Sequence, residues 1–99
     1  MYTVIRRYQG VVDSAEVTRR AAEEFAPTLR EQPGFQGYWA IDAGGGVIAT
    51  ISVFESQESA EASTAAAATW VQENLPNQVP NPPQVTAGET RGVSAEVAV

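Results

Sequence analysis

Two segments joined by a glycine-rich turn constrain the fold of this chain more than any other feature. Residues 35–42 (FQGYWAID) and 47–54 (VIATISVF) are rich in β-branched and aromatic types, and residues 43–46 (AGGG) separate them. This pattern predicts an antiparallel β-hairpin. Side chains alternate between the two faces of a strand, yet neither strand has a plainly polar face. A sheet that is apolar on both faces must be covered on both.

The segments before the hairpin predict a strand and a helix. Residues 2–9 (YTVIRRYQ) have the β-branched and aromatic composition of a strand. Asp13 is predicted to be the N-cap of the first helix, with Glu16 as its capping-box partner. Pro27 is predicted to bend this helix, because proline lacks a backbone N–H and crowds the preceding turn. Residues 33–34 (PG) end it.

The segments after the hairpin predict a second helix and a fourth strand. Ser56 is the expected N-cap of the second helix, which runs to about Leu75. Residues 76–84 hold four prolines and form a connector. Residues 84–90 (QVTAGET) then predict a strand. The inward positions are spaced as in helices; they are Val17, Ala21, Phe25 and Leu29 in the first helix and Ala60, Thr64, Ala67, Val71 and Leu75 in the second.

The order strand, helix, strand, strand, helix, strand is that of a ferredoxin-like α+β fold, with two helices on one face of an antiparallel sheet. Because the helices cover only one face, a second copy of the sheet is the simplest cover for the other, and we expect a homodimer. Residues 1–92 are predicted to form one domain. The alternating tail 93–99 (VSAEVAV) is predicted to cross to the partner subunit as an added edge strand.

The composition excludes several classes of function. The net charge is −6, with six Arg, no Lys and twelve acidic residues, so nucleic-acid binding is not expected. The sequence has no His and no Cys, which removes the commonest acid/base, the commonest metal ligand and any disulfide. No apolar run is long enough to span a membrane, and the start of the chain resembles a strand rather than a secretion signal. We therefore expect a cytoplasmic protein that acts without a metal or other cofactor.

Trp70 follows four alanines in the second helix and is the first candidate for a pocket wall. Ser63, Ala67, Trp70 and Asn74 form a ladder along one flank of that helix. An indole between two hydrogen-bonding side chains and a methyl group suits an aromatic ligand. The alternative is that Trp70 packs at the helix edge and has no part in a site.

Arg6 and Arg7 lie on opposite faces of the first strand, so at least one is expected to be partly buried. One interpretation is an ion pair with an acidic residue, and the candidates are Asp42, Glu55 and Glu89. The other is a cation that lowers the pKa of a bound phenol or holds a carboxylate. Tyr38 and Trp39 also project to opposite faces, one toward the helices and one toward the dimer interior.

Three segments resemble the antibiotic biosynthesis monooxygenase-like family of dimeric α+β barrel proteins. They are PGFQGYW at 33–39, VIATISVFES at 47–56 and AATWVQENLP at 67–76. The resemblance extends over roughly residues 2–90. It implies the predicted fold and a homodimer, but the superfamily includes oxygenases, haem-degrading enzymes, isomerases and proteins with no known reaction.

The resemblance also implies candidate site residues. Family members that oxidise phenolic polyketides without a cofactor gather Asn, Trp and Tyr around the substrate. Here the matching residue types are Trp70, Asn74 and Tyr8 as catalytic residues, with Ser63, Ala67, Arg6 and Tyr38 as substrate-binding residues. The haem-degrading branch needs an Asn on the first strand and a His on the second helix, and neither is present.

Three functions thus remain open. The first is a cofactor-independent monooxygenase for a flat aromatic or polyketide-like molecule in a pocket between the sheet and the helices. The second is a non-catalytic homodimer that binds a small ligand or has a structural role, which the scarcity of proton-moving side chains favours. The third is a lactone isomerase or cyclase, which requires a positioned Glu or Asp that the sequence does not place.

Overall fold

A computed structural model describes residues 1–92 of the chain, so the predicted tail strand at 93–99 lies outside the described residues. Four strands form one antiparallel sheet in the order β2-β3-β1-β4: β1 Tyr2–Tyr8, β2 Phe35–Gly44, β3 Val47–Phe54 and β4 Gln84–Glu89. The helices are α1 Ser14–Arg20, α2 Ala26–Arg30 and α3 Gln57–Asn74. The helices pack on one face of the sheet, and this arrangement confirms the predicted ferredoxin-like α+β fold.

The first helical run changes geometry in its middle. A π-helical segment, Ala21–Phe25, joins α1 to α2. In this segment the N–H of Ala26 donates to the carbonyl of Ala21, five residues earlier. Pro27 follows in the first turn of α2, where a missing N–H costs little. The disturbance predicted at Pro27 therefore appears as a widened turn before it.

Asp13 occupies the N-cap position of α1 as predicted, but the predicted capping box is wrong. Asp13 has a left-handed backbone conformation, with φ 56°, and its side chain makes no capping hydrogen bond. The side chain of Glu16 instead forms an ion pair with Arg19, one turn further along α1. By contrast, Ser56 caps α3 as predicted, because its hydroxyl accepts the N–H of Ser59 at 3.3 Å.

One predicted strand position lies on the other face of the sheet. Alternation places Phe35 on the same face as Trp39, but the register shifts between Phe35 and Gly37. This β-bulge turns Phe35 toward the helices, where its ring meets that of Phe54 with the centroids 5.8 Å apart. The bulge thus adds the ring of Phe35 to the core between the sheet and the helices.

The buried stripe of α3 differs from the predicted one. Ala60, Ala67 and Leu75 are buried as expected, while Thr64 and Val71 are only half-buried. Ser63 is fully buried although it was predicted to lie on the flank. A serine fits against the sheet here because it is small and because its hydroxyl accepts a hydrogen bond from β1.

The helix-free face of the sheet carries exposed apolar side chains. Trp39 is 56% exposed, and Ile5 and Ile41 are exposed on the same face. The indole of Trp39 lies over Gly37, where a Cβ atom would come within 2.5 Å of the ring. Among the described residues, no helix has the length and apolar character needed to cross a membrane.

Candidate functional site

Arg6 is the most deeply buried charged residue of the described chain. It lies near the middle of β1, paired with Thr50 of β3 and Val85 of β4, and is 1% exposed. Its guanidinium donates three hydrogen bonds to hydroxyl groups. The acceptors are Ser52 Oγ at 3.2 Å, Ser63 Oγ at 2.8 Å and Thr64 Oγ1 at 3.0 Å.

The expected ion pair of a strand arginine is absent among residues 1–92. Asp42 accepts from Ser14, Glu55 accepts from Gln36, and Glu89 pairs with the N-terminal amine. The other ion pairs join exposed side chains along the first helical run. Arg7 projects to the opposite face and is exposed. The prediction of a carboxylate partner is therefore wrong for Arg6, whose Nε is buried without a hydrogen-bond partner.

Two tyrosines lie close enough to Arg6 to affect its ionisation. Burial lowers the pKa of Arg6, and the nearby Tyr8 and Tyr38 partly offset this. Burial likewise raises the pKa of Tyr8 and of Tyr38 above the ordinary tyrosine value. Both phenols are therefore neutral at pH 7. Neither can balance the charge of Arg6.

A cavity of about 350 Å³ borders Arg6; we call it the Arg6 cavity. It lies between α3, β1 and the proline-rich segment that leads into β4, and exposed side chains at its rim open it to solvent. Most of its lining is apolar. Its walls are formed by Arg6 and Tyr8 of β1, Thr64, Ala67, Ala68, Val71 and Gln72 of α3, residues 79–83 and Val85. Its size and composition are those of a small-molecule site.

The space beside Trp70 is much smaller. A cavity of about 20 Å³, enough for one water molecule, is bordered by Trp70, Phe25 and Tyr38 among others. The ring centroids of Trp70 and Phe25 are 5.4 Å apart, and those of Phe25 and Tyr38 are 5.8 Å apart. Aromatic packing therefore leaves little room among Trp70, Phe25 and Tyr38. Trp70 does not border the Arg6 cavity.

Asn74 is occupied by contacts within its own helix and with α1. Its side-chain amide donates to the carbonyl of Trp70 at 2.9 Å. Its backbone carbonyl accepts from Arg20 Nη1 at 3.3 Å, and the guanidinium of Arg20 lies 6.0 Å from the centroid of the Trp70 ring. Asn74 borders neither cavity.

The predicted site residues thus divide into two groups, with Asn74 in neither. Arg6, Tyr8 and Ala67 border the Arg6 cavity, and Ser63 positions Arg6. Tyr38 borders only the small cavity, whereas Trp70 also borders an open surface groove with Thr28 of α2. Tyr8 and Ala67 separate the small cavity from the Arg6 cavity because they border both.

Several residues of the site were not predicted from the sequence. Ser52 and Thr64 were not singled out as partners of Arg6, and residues 79–83 were described only as a connector. The run of prolines in that segment was the available signal, because it predicts a rigid stretch next to α3. No cluster of three or more potential metal-ligating side chains occurs within the described part of the chain.

Comparison with solved structures places the fold among known proteins. A protein of unknown function from Nitrosomonas europaea has a TM-score of 0.74 at 15% identity, over 94% of this chain and 91% of that one. A monooxygenase from the gene ActVA-Orf6 of Streptomyces coelicolor, in complex with nanaomycin D, has a TM-score of 0.70 at 18% identity, over 94% and 89%. An MhuD mutant with two manganese protoporphyrin IX molecules per active site has a TM-score of 0.69 at 16% identity, over 96% and 100%.

These identities are low, so the solved structures show similarity of fold alone. No curated protein matches the sequence significantly. The family model described as antibiotic biosynthesis monooxygenase matches residues 1–69, which is more than half of the chain and includes β1, the hairpin and most of α3. The chain therefore belongs to the antibiotic biosynthesis monooxygenase family.

Proposed function

We propose that this protein binds a flat aromatic or polyketide-like molecule in the Arg6 cavity and oxidises it with O₂, without a metal or flavin. The single observation that carries the proposal is the cavity itself, about 350 Å³ and mostly apolar, beside the buried guanidinium. The family and the ligand-bound monooxygenase of similar fold support a small aromatic molecule as the occupant.

The proposed reaction draws its electrons from the substrate. An ionised phenol or enol gives one electron to O₂, and the resulting radical pair combines to a peroxide at the ring carbon. Loss of water from the peroxide converts a ring CH₂ group into a carbonyl. One oxygen atom enters the product and the other leaves as water, so the four-electron oxidation of the substrate balances the reduction of O₂.

The role of the protein in such a reaction is to bind, desolvate and stabilise an anion. In the Arg6 cavity these tasks fall to the apolar walls, to Arg6 and to the neutral hydroxyl of Tyr8. Trp70 and Asn74 remain predicted catalytic residues, and neither of them borders the Arg6 cavity. Substitution of Trp70 or Asn74 tests whether either residue takes part in the reaction.

The experiment is oxygen uptake with anthrone-type phenols. Consumption of O₂ with formation of the quinone supports the proposal, and its absence at saturating substrate contradicts the oxidation. Loss of activity in Trp70→Phe and Asn74→Ala would keep those residues in the reaction. Full activity in both, with loss in Tyr8→Phe, would assign the reaction to Tyr8 rather than to Trp70 and Asn74.

A second candidate is a ligand-binding protein without catalysis. The lining of the Arg6 cavity favours it, because that lining includes no side chain that accepts a proton near pH 7. Binding of an aromatic phenol with no oxygen uptake would support this function.

We also propose a homodimer that covers the helix-free face. The exposed Trp39, Ile5 and Ile41 support it, because an apolar patch of this kind on a soluble protein marks an interaction surface. Sedimentation at micromolar concentration is expected to show two subunits, with Trp39→Glu shifting the population to single ones. A stable single subunit in the unaltered protein would contradict the dimer.

A further inference from the structure

We propose that Arg6 recognises a single oxyanion of the ligand, the ionised phenol or enol oxygen of a planar aromatic molecule in the Arg6 cavity. The inference rests on the proposed binding of an aromatic molecule there, and it adds the chemical group by which that molecule is held. Three observations lead to it: the unbalanced charge of Arg6, the number of its free N–H groups and the chemistry of the cavity wall.

The charge of Arg6 has no counter-ion within residues 1–92. Its three hydrogen-bond acceptors are hydroxyl groups, which offer dipoles but no negative charge. Tyr8 and Tyr38 are neutral at pH 7, and burial raises the pKa of both further above the ordinary tyrosine value. Burying a charge is costly unless an opposite charge accompanies it. A negatively charged group in the adjoining cavity balances Arg6 without a change in the fold.

The free N–H groups of Arg6 fit one oxygen rather than two. A guanidinium has five N–H groups, and a carboxylate binds it best through two parallel hydrogen bonds from neighbouring nitrogens. Both edges that offer such a pair include Nη2, since the side chain itself blocks the third edge. Nη2 already donates to Ser63 and to Thr64. Neither edge can therefore hold a carboxylate through two parallel hydrogen bonds. The N–H groups left are that of Nε, which is buried, and the second one of Nη1, so one oxyanion fits Arg6 better than a carboxylate does.

The cavity wall favours a ligand that enters neutral. Ala67, Ala68, Val71 and Val85 present apolar surface, across which a preformed carboxylate would have to be desolvated. A phenol crosses this surface un-ionised and loses its proton beside Arg6. The proton passes to water at the cavity mouth, because no side chain that accepts a proton near pH 7 lies among the cavity residues.

The experiment follows the ionisation of a bound dye. The probe is 7-hydroxycoumarin, a planar phenol whose neutral and ionised forms absorb at different wavelengths. Its pKa is measured free and at saturating protein. The expected result is at least a tenfold increase in its ionisation constant on binding, a fall of one or more pKa units. An unchanged or raised pKa in the unaltered protein overturns the proposal, whatever the variants do.

The variants assign the effect to Arg6. Arg6→Met is expected to abolish the increase and Arg6→Lys to keep part of it, because lysine retains the charge. Arg7→Met is the matched control, since Arg7 is the neighbouring arginine but is exposed on the opposite face; it is expected to leave the increase unchanged. Equal loss in Arg6→Met and Arg7→Met would overturn the assignment. Circular dichroism verifies that each variant is folded.

Two further compounds separate this inference from the proposed function. Because 7-methoxycoumarin cannot ionise, its affinity measures how well the Arg6 cavity binds the aromatic ring alone. If it binds while 7-hydroxycoumarin shows no pKa change, the oxyanion assignment fails and the aromatic site stands. If neither compound binds, both proposals fail. Tighter, Arg6-dependent binding of coumarin-3-carboxylate than of 7-hydroxycoumarin would overturn the choice of a single oxyanion.

Discussion

The two sides of α3 differ in how closely side chains pack against them. On the side of α1 and the π-helical segment, the rings of Trp70, Phe25 and Tyr38 pack closely, and the cavity that they border has a volume of only about 20 Å³. On the side of β4, a cavity of about 350 Å³ adjoins Arg6. The same helix thus closes the core with aromatic rings on one side and leaves an unbalanced charge beside open space on the other.

The packed side of α3 therefore stabilises the fold, whereas the side of the Arg6 cavity is the candidate for function. Closely packed rings contribute free energy of folding through buried area and contacts. A buried charge with only hydroxyl partners does not, and such a group is maintained at a cost in stability. Tyr8 belongs to both sides, because it borders both cavities. Substitutions on either side of α3 should therefore have unlike effects on unfolding and on binding.

The largest effect on stability is expected on the aromatic side. Phe25→Ala removes a ring that is 3% exposed and contacts both Trp70 and Tyr38, so the free energy of unfolding should fall by about 3–5 kcal/mol. Urea denaturation measures this. Phe25→Leu, which keeps most of the volume, is the control and should cost clearly less. A fall below about 1 kcal/mol for Phe25→Ala would show that this side is not closely packed.

A smaller loss is expected when Arg6 is deprived of a partner. Ser63→Ala removes the acceptor at 2.8 Å and leaves a buried charged donor unsatisfied, at a cost of about 1–3 kcal/mol. Ser59→Ala is the matched control, since Ser59 is also buried on α3 but its hydroxyl makes no hydrogen bond to Arg6. Equal unfolding free energies for the two variants would mean that the hydroxyl partners of Arg6 have no energetic role.

The third prediction uses alkaline pH. Burial raises the pKa of Tyr8 and Tyr38 in the folded protein above the ordinary value, so above about pH 10 the unfolded chain loses protons that the folded protein keeps. The contribution of these two tyrosines to the free energy of unfolding is therefore constant below that pH and falls above it, by at most about 1.4 kcal/mol per pH unit for each tyrosine.

Urea denaturation at a series of pH values measures this slope. Tyr8→Phe removes one titrating group and should make the slope shallower. Stability that rises above pH 10, or a slope unaffected by Tyr8→Phe, would contradict the direction of the pKa shift.

The smallest effect on stability is expected at the wall of the Arg6 cavity. Ala68→Leu projects from an exposed position of α3 into that cavity, so the unfolding free energy should change by no more than about 0.5 kcal/mol. Binding of 7-methoxycoumarin should weaken by at least about tenfold, which corresponds to about 1.4 kcal/mol. Ala62→Leu, at an exposed position of α3 that borders neither cavity, should leave binding intact. Unchanged affinity in Ala68→Leu would exclude this cavity as the site.

Periodicity and turn residues predicted the fold well. The two-sided apolar hairpin, the Gly-rich turn and the stripe of Val17, Ala21, Phe25 and Leu29 are local signals, and the structure confirms them. The position of Phe35 was not predictable in this way, because a bulge depends on pairing with a second strand. The left-handed backbone at Asp13 likewise differs from the extended conformation that is usual for an N-cap residue.

The site was predicted only in part for a related reason. Charge alone suggested that a strand arginine would pair with a carboxylate, whereas the partners of Arg6 are hydroxyls that are 46, 57 and 58 residues away along the chain. Residue type suggested Trp70 as a pocket wall, but the side of a helix that stays open depends on what packs against it. Here the ring of Phe25 fills one side of α3. On the other side, the Arg6 cavity lies between α3 and residues 79–83.

The most direct test of this account is a crystal structure of the protein with a bound planar phenol. The predicted result is a ring between α3 and residues 79–83, with its oxygen about 3 Å from the guanidinium of Arg6. A ring inserted between Trp70 and Phe25, with the Arg6 cavity empty, would contradict it.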